Sequence, residues 1–222
     1  MKNKLICLFS ICICVSFSIH VFSQQRAPFY DDIQSFKKQD SINPPPRHAI
    51  LFVGSSSFTK WKDVQDYFPG YTIINRGFGG SSLPDVIRYA DDIIIPYHPK
   101  QVVVYCGDND FASNDTITTE IVVARFKKLF WIIRKKLPDA AIAFISVKPS
   151  PSRAKLMPKE IVANKTIKEF LATQKNTAFI DVYYPMLENG KPMPSIFLSD
   201  SLHMNARGYA IWKKAILPVL KK

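Results

Sequence analysis

Short, uniformly apolar runs, each stopped by a glycine or a polar cluster, constrain this chain more than any other feature. Residues 49–53 read Ala-Ile-Leu-Phe-Val and are followed at once by Gly54-Ser55-Ser56-Ser57. A run of that length is too short for an independent helix, and being apolar on both faces it reads as a strand covered on both sides, as in a parallel sheet. Residues 101–105, 140–147 and 178–182 repeat the pattern, and 71–75 adds a further short strand. Between these runs lie helical patterns over 59–68, stopped by Pro69-Gly70, and over 83–94, 116–137 and 159–174. In the longest of them Ile117, Ile121, Phe126, Leu129, Ile133 and Leu137 recur at mostly helical steps before Pro138 closes the stretch. Alternation of strand and helix predicts an α/β domain whose parallel sheet is covered on both faces. After a mostly irregular stretch over 183–199, a last helix carries Ile211, Trp212, Ile216 and Leu220.

Length and composition set the frame for this domain. With 222 residues, 47% of them hydrophobic, the chain can bury one sizeable core. Residues 1–23 stand apart: Lys2 and Lys4 precede an apolar run over 5–19, and Val21-Phe22-Ser23 suits signal peptidase. The run is shorter than the ~20 apolar residues of a spanning helix, and neither Cys12 nor Cys14 has a good lipoprotein context. The expectation is therefore a secretory signal and an exported protein, periplasmic or secreted, with no stable membrane insertion after cleavage. Cys7, Cys12 and Cys14 would leave with that signal, so the mature chain would keep Cys106 alone and form no intrachain disulfide. Residues 24–46 form a polar lead-in in which Phe29, Tyr30, Ile33 and Phe36 mark a short amphipathic helix ended by Pro44-Pro45-Pro46. It is expected to pack on the domain at 47–222 and not to be a domain itself. The formal charge of +12 falls by two with Lys2 and Lys4, and no zinc spacing, glycine-rich RNA motif or basic arm accompanies it. Nucleic acid is therefore not an expected partner, and a solvated basic surface accounts for the charge.

Four polar clusters follow the predicted strands or sit in loops. Gly54-Ser55-Ser56-Ser57 ends the first buried run, where open α/β sheets bind their ligands. Asn75-Arg-Gly-Phe-Gly-Gly80 turns from strand to helix without the spacing of a dinucleotide or phosphate loop. Cys106-Gly107-Asp108-Asn109-Asp110 follows residues 101–105, and Asp200-Ser-Leu-His203 precedes the last helix. Ester cleavage by serine needs a hydroxyl, a histidine to take its proton, a group to hold that histidine and donors for the oxyanion. Among His48, His98 and His203, only His203 has a carboxylate three residues before it, so Asp200 could bond Nδ1 and leave Nε2 free.

Read in order, these four clusters resemble the sequence blocks of the SGNH hydrolases, also called the GDSL esterase/lipase family. The resemblance covers essentially the whole mature domain. It implies a flavodoxin-like three-layer α/β/α sandwich with a central parallel sheet of about five strands. Carried onto this chain, it makes Ser56 the nucleophile, His203 the general base and Asp200 its partner. The backbone N–H groups of Ser56 and Gly80 and the side-chain amide of Asn109 would form the oxyanion hole. No metal or other cofactor is implied.

This chain departs from the family pattern at Ser55, where the usual residue is aspartate. That leaves Ser55 and Ser57 as alternative hydroxyls. Asp108 and Asp110 invite a metal reading, but two carboxylates without a histidine suit loop capping better. Cys106 could be a thiol nucleophile, though a free cysteine is usually a small buried hydrophobe. Phe58, Trp61 and Tyr105 could line a cleft, with core packing the safer assignment. The expected activity is cleavage of small acyl esters, acetyl above all, through an acyl-enzyme, with a glycan or small molecule as substrate. Lipid acylhydrolysis of the lysophospholipase or thioesterase type is the alternative, as is glycan binding without turnover.

Overall fold

The computed structural model describes residues 26–222, so the expected signal at 1–23 lies outside the described residues. Helix α1 (Tyr30–Ile42) leads into β1 (Ile50–Gly54), followed by the single turns α2 (Ser56–Thr59) and α3 (Val64–Tyr67) and strand β2 (Ile73–Gly77). Then come α4 (Leu83–Arg88), α5 (Ala90–Ile93), β3 (Gln101–Tyr105), α6 (Asp108–Ser113) and α7 (Thr119–Lys136). Strand β4 (Ala141–Ile145), α8 (Met157–Ala172), β5 (Thr177–Ile180) and α9 (Ala206–Ile216) complete the domain.

The five strands form one parallel sheet in the order β2-β1-β3-β4-β5. This is the flavodoxin-like order, in which the chain reverses direction across the sheet between β1 and β3. Every residue of β1, β3 and β4 is buried, and strand alternation sends neighbours to opposite faces. Leu51, Val53, Val102, Val104 and Phe144 join a core with α4, α7 and α8. Ile50, Phe52, Val103, Tyr105 and Ile145 join a second core with Phe58, Trp61, Phe68 and Trp212. Each such aliphatic or aromatic side chain contributes ~1.5–3 kcal/mol relative to exposure. The central strands, contributing to both layers, therefore hold fixed whatever follows their carboxyl ends.

Several local expectations need correction. The helix predicted over 59–68 is only the turn Val64–Tyr67, separate from Ser56–Thr59, and between them the Phe58 carbonyl accepts the Trp61 N–H at 3.0 Å and Asn75 Nδ2 at 2.8 Å in place of an N–H four residues on. The strand predicted over 71–75 begins two residues later, since Gln65 bonds the Tyr71 carbonyl at 2.8 Å and the Ile73 N–H at 2.9 Å. The helix over 83–94 breaks at Tyr89, whose hydroxyl donates to the Pro28 carbonyl at 2.7 Å. Strand β4 stops at Ile145 and not at 147, because the Asn164 side chain takes both backbone groups of Val147 at 2.8 and 2.9 Å. The lead-in helix α1 lies on the domain, with Ile33 buried and Asp40 reached by both Arg76 and Tyr97.

Candidate active site

All four polar clusters meet at the carboxyl edge of the sheet. Ser56 opens the α2 turn directly after β1, and Gly54 makes that departure possible. Its φ is +147°, and a Cβ there would lie 1.8 Å from the Tyr105 carbonyl oxygen of β3. The Ser55 N–H bonds that same carbonyl at 3.2 Å, holding the turn to β3. Ser55 and Ser57 are buried on either side, while Ser56 is only partly covered.

His203 reaches this serine from the far end of the chain. Its Nε2 lies 2.9 Å from Ser56 Oγ, and its Nδ1 lies 2.6 Å from Asp200 Oδ2. The local fold of 200–203 explains the contact. Asp200 Oδ1 accepts the backbone N–H groups of Leu202 at 3.0 Å and His203 at 2.9 Å, while Ser201 takes a left-handed φ of 55°. Such an Asx turn curls the imidazole back over the carboxylate and leaves Oδ2 for the ring. The imidazole hydrogen bond, together with these N–H groups, holds the Asp200 carboxyl well below the usual carboxylate range. A neutral ring donating Nδ1–H to Asp200 presents the Nε2 lone pair to the Ser56 hydroxyl. Asn205 then caps α9, its Oδ1 accepting from Arg207 N–H at 2.9 Å and Gly208 N–H at 3.3 Å.

The glycine-rich turn and the Asn109 cluster are tied to each other and to β1. Ser81 Oγ donates to the Gly54 carbonyl at 3.2 Å, and Asn109 Nδ2 donates to the Ser81 carbonyl at 2.9 Å. Leu83 N–H donates to Asp110 Oδ2 at 2.8 Å, closing the second link between these segments. Gly80, exposed at φ +86°, adopts a backbone conformation that side chains disfavour. The bonds place the Gly80 turn and the Asn109 amide beside the strand that carries Ser56. Asn109 is itself held from the other side, Arg153 Nη2 donating to its Oδ1 at 3.0 Å.

The remaining candidates have other partners. Asp110 is buried and pairs with Arg125 at 2.8 Å, and burial raises its carboxyl even against that cation and the Leu83 N–H. Asp108 pairs with Arg153 at 2.6 Å and lies 3.6 Å from Lys148. Cys106 is fully buried, and burial pushes its thiol well up, which disfavours the thiolate. Phe58, Trp61 and Tyr105 are fully buried core residues around Trp212. His48 and His98 lie apart at the amino end of the sheet, the His48 N–H bonding the His98 carbonyl. Sequence reasoning missed Ser81, Arg125 and Arg153; the last stands at the end of the Lys148-Pro149-Ser150-Pro151 loop, whose position after β4 was its one visible mark.

Residues 51–211 match the model of the GDSL-like lipase/acylhydrolase family. No curated protein matches the chain. Among solved structures, one from Bacteroides fragilis assigned as an acylhydrolase is similar at 21% identity and a TM-score of 0.74, covering 85% of this chain and 95% of that one. A GDSL-like lipase from Bacteroides thetaiotaomicron is similar at 20% identity and a TM-score of 0.71, covering 83% and 94%. An acetylxylan esterase from Geobacillus stearothermophilus, solved as a catalytic mutant, is similar at 15% identity and a TM-score of 0.60, covering 79% and 94%. At these identities the likeness speaks to the fold.

Proposed function

The chain belongs to the GDSL-like lipase/acylhydrolase family, and from that premise we propose an exported serine ester hydrolase that removes small acyl groups, acetyl above all, from carbohydrate through an acyl-enzyme. The observation that carries the reading is the relay Ser56 Oγ, His203 Nε2, His203 Nδ1, Asp200 Oδ2, with steps of 2.9 and 2.6 Å. In the first half-reaction Ser56 Oγ attacks the ester carbonyl as His203 takes its proton, and His203 returns that proton to the departing alcohol. In the second, His203 activates water, which attacks the acyl-serine and releases the acid. Asp200 holds the ring tautomer and balances the imidazolium without taking the proton. The oxyanion is held by the N–H groups of Ser56 and Gly80 and by Asn109 Nδ2, any one such donor being worth ~10²–10³ in kcat.

The small acyl group and the sugar are supported by two observations. No long apolar insertion separates the sequence clusters to cover a fatty chain. A similar fold carries the acetylxylan esterase of Geobacillus stearothermophilus. Export is supported by the charged and apolar pattern of residues 1–23.

The test is hydrolysis of p-nitrophenyl acetate by the protein beside Ser56→Ala, with intact mass read after a fluorophosphonate probe. Turnover is expected to fall by ~10⁵–10⁶ in the variant, with loss of the probe adduct and an unchanged fold. Activity or labelling that survives the substitution would overturn Ser56 as the nucleophile. A folded protein with neither would favour glycan binding without turnover. Acetylated xylo-oligosaccharides against lysophospholipid then separate a sugar from a lipid substrate.

A further inference from the structure

The Lys148-Pro149-Ser150-Pro151 loop and Arg153 beyond it are not used by the mechanism above, yet they touch both halves of the site. The loop leaves β4 at the same edge of the sheet as Ser56 and Asn109. Its start is pinned by Asn164, which bonds both backbone groups of Val147, and by Lys148, buried with its ammonium 5.6 Å from the centre of the Phe197 ring. Farther on, the Ser152 N–H donates to the Ser201 carbonyl at 3.1 Å, inside the turn that carries Asp200 and His203. One residue later, the Arg153 guanidinium sets Nη1 2.6 Å from Asp108 Oδ1 and donates from Nη2 to Asn109 Oδ1 at 3.0 Å. The guanidinium thus meets two consecutive residues with two nitrogens of one rigid plane, an ion pair to Asp108 and a hydrogen bond to Asn109, a task for arginine and not lysine.

The Asn109 carboxamide needs such a grip. An amide can turn over, exchanging its oxygen and nitrogen, and in one of its two orientations it would present an acceptor where the oxyanion requires a donor. Its two partners both oppose the exchange. Turned over, the Asn109 oxygen would face the Ser81 carbonyl, acceptor against acceptor, and its NH₂ would face the Arg153 guanidinium, donor against donor. As it stands, one Nδ2–H goes to the Ser81 carbonyl at 2.9 Å, and the second has no protein acceptor among the described residues. A cation on the amide oxygen also draws electron density from the nitrogen, strengthening the remaining N–H as a donor.

We propose that Arg153 is a positioning residue for the oxyanion hole, locking the Asn109 carboxamide so that its free N–H points to the developing charge, and that Asp108 in turn holds Arg153. The inference rests on the hydrolase reading above. It predicts that Arg153 acts on rate only through Asn109.

The experiment is a double-mutant cycle on p-nitrophenyl acetate hydrolysis with Arg153→Ala, Asn109→Ala and the double variant, assayed beside the starting protein and Ser56→Ala. Because the donor itself is worth ~10²–10³ in kcat, Arg153→Ala is expected to lose ~10–100-fold in kcat with KM moved less than about threefold. In the Asn109→Ala background the same substitution is expected to lose less than about twofold, and guanidinium ion is expected to restore part of the activity of Arg153→Ala only where Asn109 is present. Arg153→Lys keeps a cation against Asp108 and guards against a folding defect; it is expected to fold and still lose kcat, since one ammonium cannot serve both partners. Equal losses from Arg153→Ala in both backgrounds, or an unchanged kcat in Arg153→Lys, would overturn the proposal while leaving the hydrolase standing. Turnover that survives Ser56→Ala would instead overturn the nucleophile, and no turnover in the starting protein would overturn both.

Discussion

Asp200 does two jobs with one carboxylate, and they can be separated. Oδ1 shapes the turn by accepting the N–H groups of Leu202 and His203, while Oδ2 takes the imidazole at 2.6 Å. Asparagine can keep the first job, because its carbonyl oxygen still accepts both backbone N–H groups. It reverses the second, since its NH₂ donates to Nδ1 and forces the ring proton onto Nε2, facing Ser56 Oγ. Asp200→Asn is therefore expected to lower kcat by ~10³–10⁴ while the thermal midpoint moves little. Steady-state kinetics with calorimetry on the same samples checks both halves, and a large fall in the midpoint would show that charge in the turn, not tautomer, is what Asp200 supplies. The contact of Asp200 with His203 was visible as a spacing of three residues before a histidine. The serine was less legible: Ser55, Ser56 and Ser57 are chemically alike, and only the path of the backbone after Gly54 decides which hydroxyl meets His203.

At the scale of elements, the buried strands were legible because packing on both faces leaves a continuous apolar run, and β3 was read to the residue. Elements failed where a side chain captures backbone groups, as Asn75 does at Phe58 and Gln65 does at Tyr71 and Ile73. Periodicity carries no trace of such long-range bonds. The contact of β1 with β3 at Gly54 is of the same kind, hidden in sequence as one glycine among several. A methyl at position 54 would meet the Tyr105 carbonyl oxygen at 1.8 Å, at a φ of +147°, so the two central strands would have to part. Gly54→Ala is expected to cost at least about 3 kcal/mol of the ~5–15 kcal/mol that hold a domain together, and to remove activity by separating Ser56 from Asn109. Gly79→Ala is the control, because its nearest neighbours, two Thr59 side-chain atoms, lie 3.9 Å from a Cβ there. Urea denaturation should find Gly79→Ala within about 0.5 kcal/mol of the starting protein.

The whole molecule accommodates a buried polar cluster behind its site, gathered from α8 and from the segments that follow β3, β4 and β5. Glu160 on α8 is fully buried, with neither carboxyl oxygen hydrogen-bonded, among Asp108 after β3, Lys148 and Arg153 after β4, and Tyr183 after β5. Burial first, and the Asp108 charge second, push the Glu160 carboxyl up to about 9, against the pull of Lys148 and Arg153. The folded protein therefore keeps a proton that the unfolded chain releases near the ordinary glutamate value of about 4.3. Since stability falls with pH wherever the folded state binds more protons, Glu160 lowers stability progressively from about pH 4.5 to about pH 9 and adds no further slope above that. Glutamine matches the protonated side chain in shape and cannot ionise. Glu160→Gln is thus expected to be about as stable as the starting protein at pH 5 and more stable by a few kcal/mol, about 2 or more, at pH 8. Urea midpoints across that range give the difference directly, with the other titrating groups common to both proteins. A constant difference from pH 5 to pH 9 would mean that Glu160 is ionised in the folded state, paired with Lys148 or Arg153. Arg153 would then be shared between Glu160 and Asp108 at every pH in that range, and its hold on Asn109 would be weaker without changing with pH.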